Sequence, residues 1–422
     1  MKDLVVLGGN RLHAGFSLRK KELGIDRVIV VDWNKRPDYE GDVTICCDIK
    51  DAEAIWNRPE ICWDNVWCVY TSADAAVASQ AWLHKKMGLQ IPDKNALVRA
   101  QVKGESSLCW EKAGILHKYS RVLNGPEEFD RYDGRNYIWK PNCSSGSRNI
   151  TILGGNEVTF ANVEKAWKLA AEASSDHKVI VEEFCEGTEY TIEMLGDGMG
   201  NVGVYGISKK YHTPYNTKNK IAVKLHYCPN DISNFQLEKL ASFGQQCYRA
   251  LGLSSSFGHL EVIVKPDNTL VPVEMGARSS GFIASHLVDL LHKKTSYLSD
   301  YAGVLRGEAV KDGITFDGNT SSMYYFYDVR PGTGQQMKTI MDFLPDGIVS
   351  YAHDRKGLSN GRHFSPIEAD HERYGYEILG GKREVLTIET VAEAEQKWND
   401  AVICPEQNRI GEKRDDDKGT DD

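Results

Sequence analysis

Glu261 and Glu274 are the two side chains in this sequence best placed to do chemistry together. They lie in GHLEVIVKPDNTLVPVEMGARSSGFIASH, which runs from Gly258 to His286. Two alternating, β-branched-rich runs, Leu260 to Lys265 and Thr269 to Glu274, flank Lys-Pro-Asp-Asn, a hairpin pattern with a short turn. Folding about residues 266–268 sets positions whose numbers sum to about 535 opposite one another, so the two glutamates face across the ladder. Like charges there repel unless something positive sits between them. Two carboxylates on rigid strands offer hard oxygen ligands, the usual means of holding Mg²⁺ against substrate phosphates. Arg278 follows in a Gly-Ala-Arg-Ser-Ser-Gly stretch lean in bulk, where a guanidinium can meet an anionic oxygen bidentately. The competing reading is an amphipathic hairpin with both glutamates in solvent.

Three further stretches carry chemistry of the same kind. Lys140 ends a strand-like run and is followed by PNCSSGSRNI. There the small residues Ser144, Ser145, Gly146 and Ser147 let backbone N–H groups converge on an anion beside a fixed positive charge. The stretch is not the GxxxxGK(S/T) phosphate loop, and a serine/glycine segment also serves as an ordinary turn. In VIVEEFCEGTEYTIEML, strand-like residues 179–184 reach Glu182 and Glu183, and Glu189 through Met194 alternate as a second strand. A join of that kind allows backbone groups of Glu183 and Cys185 to face an adenine while Glu189 accepts from ribose hydroxyls. The alternative is an acidic hairpin. Lys103 and Arg99 lie one helical turn apart in NALVRAQVKGESSLCWEKA, where a solvated charge is the plain reading.

The elements that must position these residues follow from composition and periodicity. At 422 residues, 41% hydrophobic and 26% charged, the chain has length for two or three domains with real cores. A net charge of −9 argues against coating nucleic acid, which needs a basic face. The ten cysteines show neither a CxxC pair nor zinc spacing and read as reduced, buried thiols of a cytosolic protein. The first apolar run, broken by Asn10 and Arg11, is too short for a signal segment or membrane span.

Residues 3–8 (DLVVLG), the Gly8-Gly9-Asn10 turn, a helix closed by Gly24 and a second apolar run ending at Asp32 make a βαβ unit with parallel strands. An acidic residue there is a dinucleotide-binding feature, but GGNRLHAG lacks GxGxxG, and the sheet reads as scaffold. Val43 to Cys47 and Val66 to Tyr70 add strands. Helices are expected over 95–113, 162–173, 232–251 and 283–305, and strands over 321–327, 337–343 and 347–351 in a mixed α/β tail region. His286 and His292 read as satisfied structural histidines. The final GEKRDDDKGTDD is too polar to bury and is expected to be disordered.

Taken in order, these motifs resemble the ATP-grasp superfamily of carboxylate–amine ligases. Lys103, eleven residues before Gly114, is similar to the family's first nucleotide lysine. Lys140-Pro141 with its Ser/Gly loop resembles the second lysine and phosphate lid, and Glu182, Glu183, Phe184 and Cys185 the hinge. Glu189, seven residues after Glu182, stands where the ribose glutamate belongs, and Glu261 and Glu274 look like the magnesium carboxylates. One departure is informative: many members carry asparagine two residues after the second metal glutamate, where this chain has Gly276. The E-x-A/G-A-R ending, here Glu274 to Arg278, is similar to that of L-amino acid ligases of the bacilysin-synthetase type, which make dipeptides.

The resemblance implies an α/β architecture, α+β overall. An N-terminal parallel, Rossmann-like domain (1–92) would precede an ATP-grasp linker and lid (93–185) and a subdomain with the metal site (186–310). A small C-terminal α/β domain (311–410) and the acidic tail (411–422) would complete the chain. It implies ATP and Mg²⁺, with Mn²⁺ as a substitute, and small-molecule carboxylate and amine substrates for a cytoplasmic enzyme, with no nucleic acid or membrane partner and a homodimer allowed. Lys103, Lys140 and the loop from Ser144 to Ser147 would hold the triphosphate. A carboxylate would attack the γ-phosphate to give an acyl phosphate, and Arg278 would steady the oxyanion as an amine displaces phosphate. His212, His226 and His259 are the candidate bases for that amine. The alternatives are a ligase or carboxylase of the purine-synthesis or biotin-carboxylase type and a nucleotide-binding regulator without chemistry.

Overall fold

The computed structural model describes residues 1–144, 149–216, 221–281, 284–292, 296–369 and 372–405. The chain opens with a four-stranded sheet ordered Val43–Cys46, Arg27–Asp32, Asp3–Leu7 and Val66–Thr71, every pairing parallel. Continuous apolar runs suit strands covered on both faces. Leu4, Val6, Val28 and Val30 pack into the main core, and their alternates Val5, Leu7, Ile29 and Val31 into a second core on the other side. Strand order reverses between Asp3–Leu7 and Val66–Thr71, so the loops after these two strands flank a crevice at the carboxyl edge of the sheet.

Residues 120–183 form an antiparallel sheet of four strands, ordered Ser120–Leu123, Val179–Glu183, Tyr137–Pro141 and Thr151–Leu153. The helix Phe160–Ala173 backs it, and Trp139, Tyr137, Phe129 and Val163 fill a core of its own.

The largest sheet has nine strands. Eight of them lie in the order Leu270–Gly276, Ser256–Val264, Thr188–Gly196, Val202–His212, Ala222–Tyr227, Thr320–Phe326, Tyr376–Lys382 and Ile348–Asp354, and Gly313–Ile314 pairs with Val202–His212. The strands beyond residue 310 are therefore hydrogen-bonded into the same sheet as the glutamate hairpin. Pro272 is tolerated in Leu270–Gly276 because that strand is an edge. The helix Asn234–Ala250 covers one face, with Gly244 seated on Ile192 and Met194; the odd-numbered residues Glu189, Thr191 and Glu193 point to the other. A three-stranded sheet and the helix Ile388–Val402 pack around Trp398 at the C-terminal end.

Three expected elements differ. The helix expected over 95–113 is two, Lys94–Gln101 and Lys103–Lys112, parted by an extended Val102. The second restarts because Asn142 takes its first amides: the Lys103 N–H donates to the Asn142 carbonyl at 3.1 Å and the Gly104 N–H to Asn142 Oδ1 at 2.9 Å. Residues 283–305 likewise contain two helices, Ala284–Asp289 and Tyr297–Val304. The strand expected over 337–343 contains a 3₁₀ turn at Ile340–Asp342, because Asp342 caps the Thr339 amide.

All ten cysteines are free, but only Cys68, Cys228 and Cys247 are buried; Cys46, Cys62 and Cys404 are exposed, against the expectation of buried thiols. Among the described residues no helix is long and apolar enough to cross a membrane. The expected disordered tail, 411–422, lies outside the described residues.

Candidate active site

The hairpin folds as its sequence dictates. Asn268, at φ 64°, closes the turn, and the Lys265 N–H donates to the Thr269 carbonyl at 2.9 Å. Glu261 and Glu274 are directly opposed, and a bulge follows immediately between Glu261 and Val262. The row continues across three more strands as Thr191, Ser208 and Tyr227, each opposite the next. Directly opposed residues share a face, so one polar row runs across the central sheet. Behind it His259 pairs with Glu193, opposite Gly276 and Gly206.

Each carboxylate of the hairpin pair is met by an ammonium group. Lys210 Nζ is 2.6 Å from Glu261 Oε1 and 4.0 Å from Glu189 Oε2, while Lys103 Nζ is 3.5 Å from Glu274 Oε2. Lys103 also donates to the Ser144 carbonyl at 2.9 Å, tying its helix to the start of the Ser/Gly loop. Burial alone would raise the Glu261 carboxyl, but Lys210 and then His259 hold it well below the usual carboxylate range. Burial would lower the Lys210 ammonium, and Glu261 with Glu189 raises it instead. Glu189 is kept low, against its burial, by His212 at 3.4 Å and by Lys210.

Lys140 and Glu182 sit on neighbouring strands of the four-stranded antiparallel sheet, nearly excluded from solvent, with Nζ 2.8 Å from Oε2. Burial opposes both charges. Glu182 nevertheless raises Lys140, and Lys140 with Lys118 takes Glu182 down to about 2. The Glu182 side chain thus lies buried between two lysines. In the segment that follows, the Phe184 N–H donates to the Asn136 carbonyl at 2.8 Å, Cys185 is half-buried, and Glu183 meets Arg135 at 3.2 Å on the surface. Ser145, Gly146 and Ser147 lie outside the described residues.

Arg278 closes the site from the N-terminal side. Its Nε and Nη2 donate to the two oxygens of Asp74, at 2.7 Å each, and Nη1 to the Ser279 carbonyl at 3.1 Å. Burial works against both ions, yet Asp74 is held low by Arg278, Lys103 and His259, and Arg278 is raised by Asp74, Glu274 and Glu261. These mutual influences show that the groups share one electrostatic neighbourhood. Gly276 leaves room for the guanidinium: a Cβ there would stand 3.3 Å from Arg278 Cγ and Cζ.

Of the three histidines weighed as bases, His226 is buried against Ser321, 2.7 Å away, and His212 stands beside Glu189. His259 is held between carboxylates, with Nδ1 2.8 Å from Glu193 Oε1 and Nε2 3.8 Å from Glu261 Oε1. Burial pushes its imidazole down, but Glu193 and Glu261 bring it up to about 9, so it carries a proton at neutral pH. Asp32, the acid ending the second strand, spends its two oxygens on the amides of Gly9 and Asn34, at 2.7 Å each, and serves as a brace in the parallel sheet.

Nothing in their sequence context marks Lys118, Lys210, Glu193 and Asp74 as site residues. Lys210 lies two residues after Ser208 and shares its sheet face, a placement that follows only once the strand pairing is known. Asp74 and Lys118 reach the site only through tertiary packing.

Among the described residues no three His, Cys, Asp or Glu side chains group as a ready metal site. The hairpin offers two carboxylates, a hard-oxygen donor set.

The family model described as an ATP-grasp domain matches residues 134–286, from the lid through the glutamate hairpin and Arg278. Residues 134–286 carry an ATP-grasp domain. A D-alanine–D-alanine ligase of Nitrosospira multiformis is 29% identical over 208 residues, 47% of this chain and 63% of that protein. A second, from Bordetella avium, is 28% identical over 164 residues, 36% of this chain and 47% of that protein. The chain thus spans between about half and two thirds of the length of these curated relatives. The crystal structure of an L-amino acid ligase from Bacillus licheniformis superposes with a TM-score of 0.67, covering 96% of this chain and 99% of that one at 14% identity. At that identity the likeness shows the fold alone, over the ATP-grasp domain and the α/β regions on either side of it.

Proposed function

We propose that this chain is an ATP-dependent ligase that activates a carboxylate as an acyl phosphate and joins it to an amine, with amino acids or amino-acid-like molecules as substrates. The observation that carries the reading is the opposition of Glu261 and Glu274, flanked by Lys103, Lys140, Lys210 and Arg278 around one sheet face. The site's basic groups Lys103, Lys118, Lys140, Lys210, His259 and Arg278 are balanced by Asp74, Glu182, Glu189, Glu193, Glu261 and Glu274. A site without surplus positive charge accepts a triphosphate only together with added cations. Mg²⁺ fits the carboxylate pair, completing its shell from phosphate oxygens and water, and Mn²⁺ fits the same donors. When bound there it would draw charge off the γ-phosphate.

The residues divide the work as follows. Lys103, Lys140 and the Ser144 segment hold the phosphates, and backbone groups of Glu183 and Cys185 with the Glu189 side chain hold the nucleoside, while the Glu182 side chain pairs with Lys140 and Lys118. The substrate carboxylate attacks the γ-phosphorus and ADP leaves. Arg278, oriented by Asp74, steadies the oxyanion as the amine attacks the acyl carbon and phosphate departs. With His259 already protonated, the amine enters neutral. Residues 1–92 supply the substrate-side crevice, 93–185 the linker and lid, 186–310 the metal floor and 311–410 a cover; free thiols suit a cytoplasmic setting.

Phosphate release measured with candidate acids singly and in pairs tests the reading. Release that requires an amino-acid pair supports it. Release with bicarbonate or a ribosylamine alone would move the chain to the carboxylase or purine-synthesis type, and nucleotide binding without release would make it a regulator.

A further inference from the structure

Glu182 has two cationic partners on a single oxygen. Lys140 Nζ lies 2.8 Å from Oε2 and Lys118 Nζ 3.2 Å from the same atom, and all three side chains are under one tenth exposed. They come from different segments: Lys140 from the strand Tyr137–Pro141, Glu182 from Val179–Glu183, and Lys118 from the connection that leads into Ser120–Leu123. Ser120 is paired with Glu182 in the ladder, so Lys118 enters from just beyond the edge strand. A buried carboxylate needs one close cation, and removing its only partner is strongly unfavourable. Two partners make one of them dispensable.

We propose that Lys118 is a positioning residue, the reserve counter-ion that keeps Glu182 paired when Lys140 turns from it to a nucleotide phosphate. The proposal rests on reading Lys140 as a phosphate-binding residue. Lys140 can serve a phosphate only by loosening its contact with Glu182, because the ammonium group has a limited set of donors and a compact charge. Were Glu182 left alone, the cost of an unpaired charge in the lid would offset most of what a charge-assisted lysine–phosphate bond supplies. With Lys118 already within ion-pair distance, the carboxylate stays neutralised and Lys140 is released at little cost. Lys118 itself need not touch the nucleotide.

Calorimetric titration of the full chain with MgADP and with a non-hydrolysable ATP analogue tests this on the wild type, Lys118→Met, Lys118→Arg and the double variant Lys118→Met/Glu182→Gln. Lys118→Met is expected to weaken ADP binding about tenfold, which corresponds to about 1.4 kcal/mol. Lys118→Arg keeps the charge and is expected to bind like the wild type. The double variant, with a neutral amide that neither strands a charge nor holds Lys140, is expected to recover to within about threefold of wild type. Unchanged binding by Lys118→Met, or a double variant that binds no better than the single, overturns the proposal. If Lys118→Met fails to fold, a folded double variant with weak ADP binding overturns it equally. Wild-type protein that binds neither nucleotide removes the nucleotide reading and the proposal together, whereas tight wild-type binding indifferent to residue 118 removes the proposal alone.

Discussion

Arg278 and Asp74, 204 residues apart in sequence, meet fork to fork, Nε and Nη2 each 2.7 Å from a carboxylate oxygen. With Nη1 also donating to the Ser279 carbonyl, three of the five N–H donors are engaged and the guanidinium plane is fixed; in the proposed reaction the remaining two serve the oxyanion. Asp74 belongs to the loop after the last parallel strand, so the N-terminal region sets the aim of the arginine. Asp74→Ala is expected to lower kcat about tenfold with KM for ATP unchanged, and Arg278→Lys about a hundredfold. Adding Asp74→Ala to Arg278→Lys is expected to cost little more, because both act through one contact. Initial rates of phosphate release with the best substrate pair read all three; additive losses would separate the two residues.

Glu274 is the exposed member of the hairpin pair, with its side chain 41% accessible, and it meets Lys103 at 3.5 Å. Glu274→Gln keeps the shape and removes one of the two hard ligands. Turnover is expected to fall a hundredfold or more, with half-saturation by Mg²⁺ moving to higher concentration. Thermal stability is expected to hold or rise slightly, since like charges face each other across the ladder. Full activity at ordinary Mg²⁺ would remove the metal role from this position.

The hairpin was legible because its chemistry is local: a turn of fixed length sets the register, and the register alone opposes Glu261 to Glu274. The parallel sheet was legible for the same reason, from short apolar runs separated by glycine turns. What could not be read depends on distant partners. Val102 sits in an unbroken helical pattern and is extended only because Asn142 caps the next residues. Glu182 follows an apolar strand at what looks like a hinge, yet its side chain points into the lid because Lys118 and Lys140 await it. His259 reads as a candidate base until Glu193, opposite it in the ladder, and Glu261, two residues on, are placed around it.

His259 makes stability depend on pH. Its pKa is raised on folding from 6.5 to about 9, so the native state holds the proton more tightly. That contribution is complete below about pH 6.5 and is lost as pH rises through 9, a change of about 3 kcal/mol at 1.36 kcal/mol per unit. Urea unfolding without divalent metal is expected to show the wild type losing stability across this window. His259→Asn is expected to be less stable at pH 6.5 and nearly flat to pH 9. Parallel profiles for the two proteins would contradict the assignment.

Asp328 has the opposite sense. Burial, with Glu395 nearby, lifts its carboxyl from 3.8 to about 6, and Lys224 and the Thr213 hydroxyl only partly counter this. An acid raised on folding stabilises when protonated, so its contribution fades as pH rises through 6 and above that the ion is a cost of about 3 kcal/mol. Asp328→Asn keeps an oxygen to accept from Thr213 and is expected to be more stable than wild type at pH 8. The gain should vanish toward pH 4. A gain that persists at low pH would point to packing.

Gly104 sits where the Lys103 helix restarts, and the space beside it is already filled. A Cβ at this position would lie 2.3 Å from Val122 Cγ2 and 2.9 Å from Asn142 Oδ1. Val122 is part of the lid sheet and Asn142 caps the helix, so neither can withdraw without moving what it holds. Alanine ordinarily favours a helix over glycine by about 1 kcal/mol. Here overpacking is expected to reverse the sign, for a net loss of about 1–3 kcal/mol. Because the displaced neighbour is the cap that orients Lys103, ADP affinity is expected to fall along with stability. Denaturant unfolding paired with ADP titration checks both: a stabilised Gly104→Ala protein would mean that the two segments are not in the contact described.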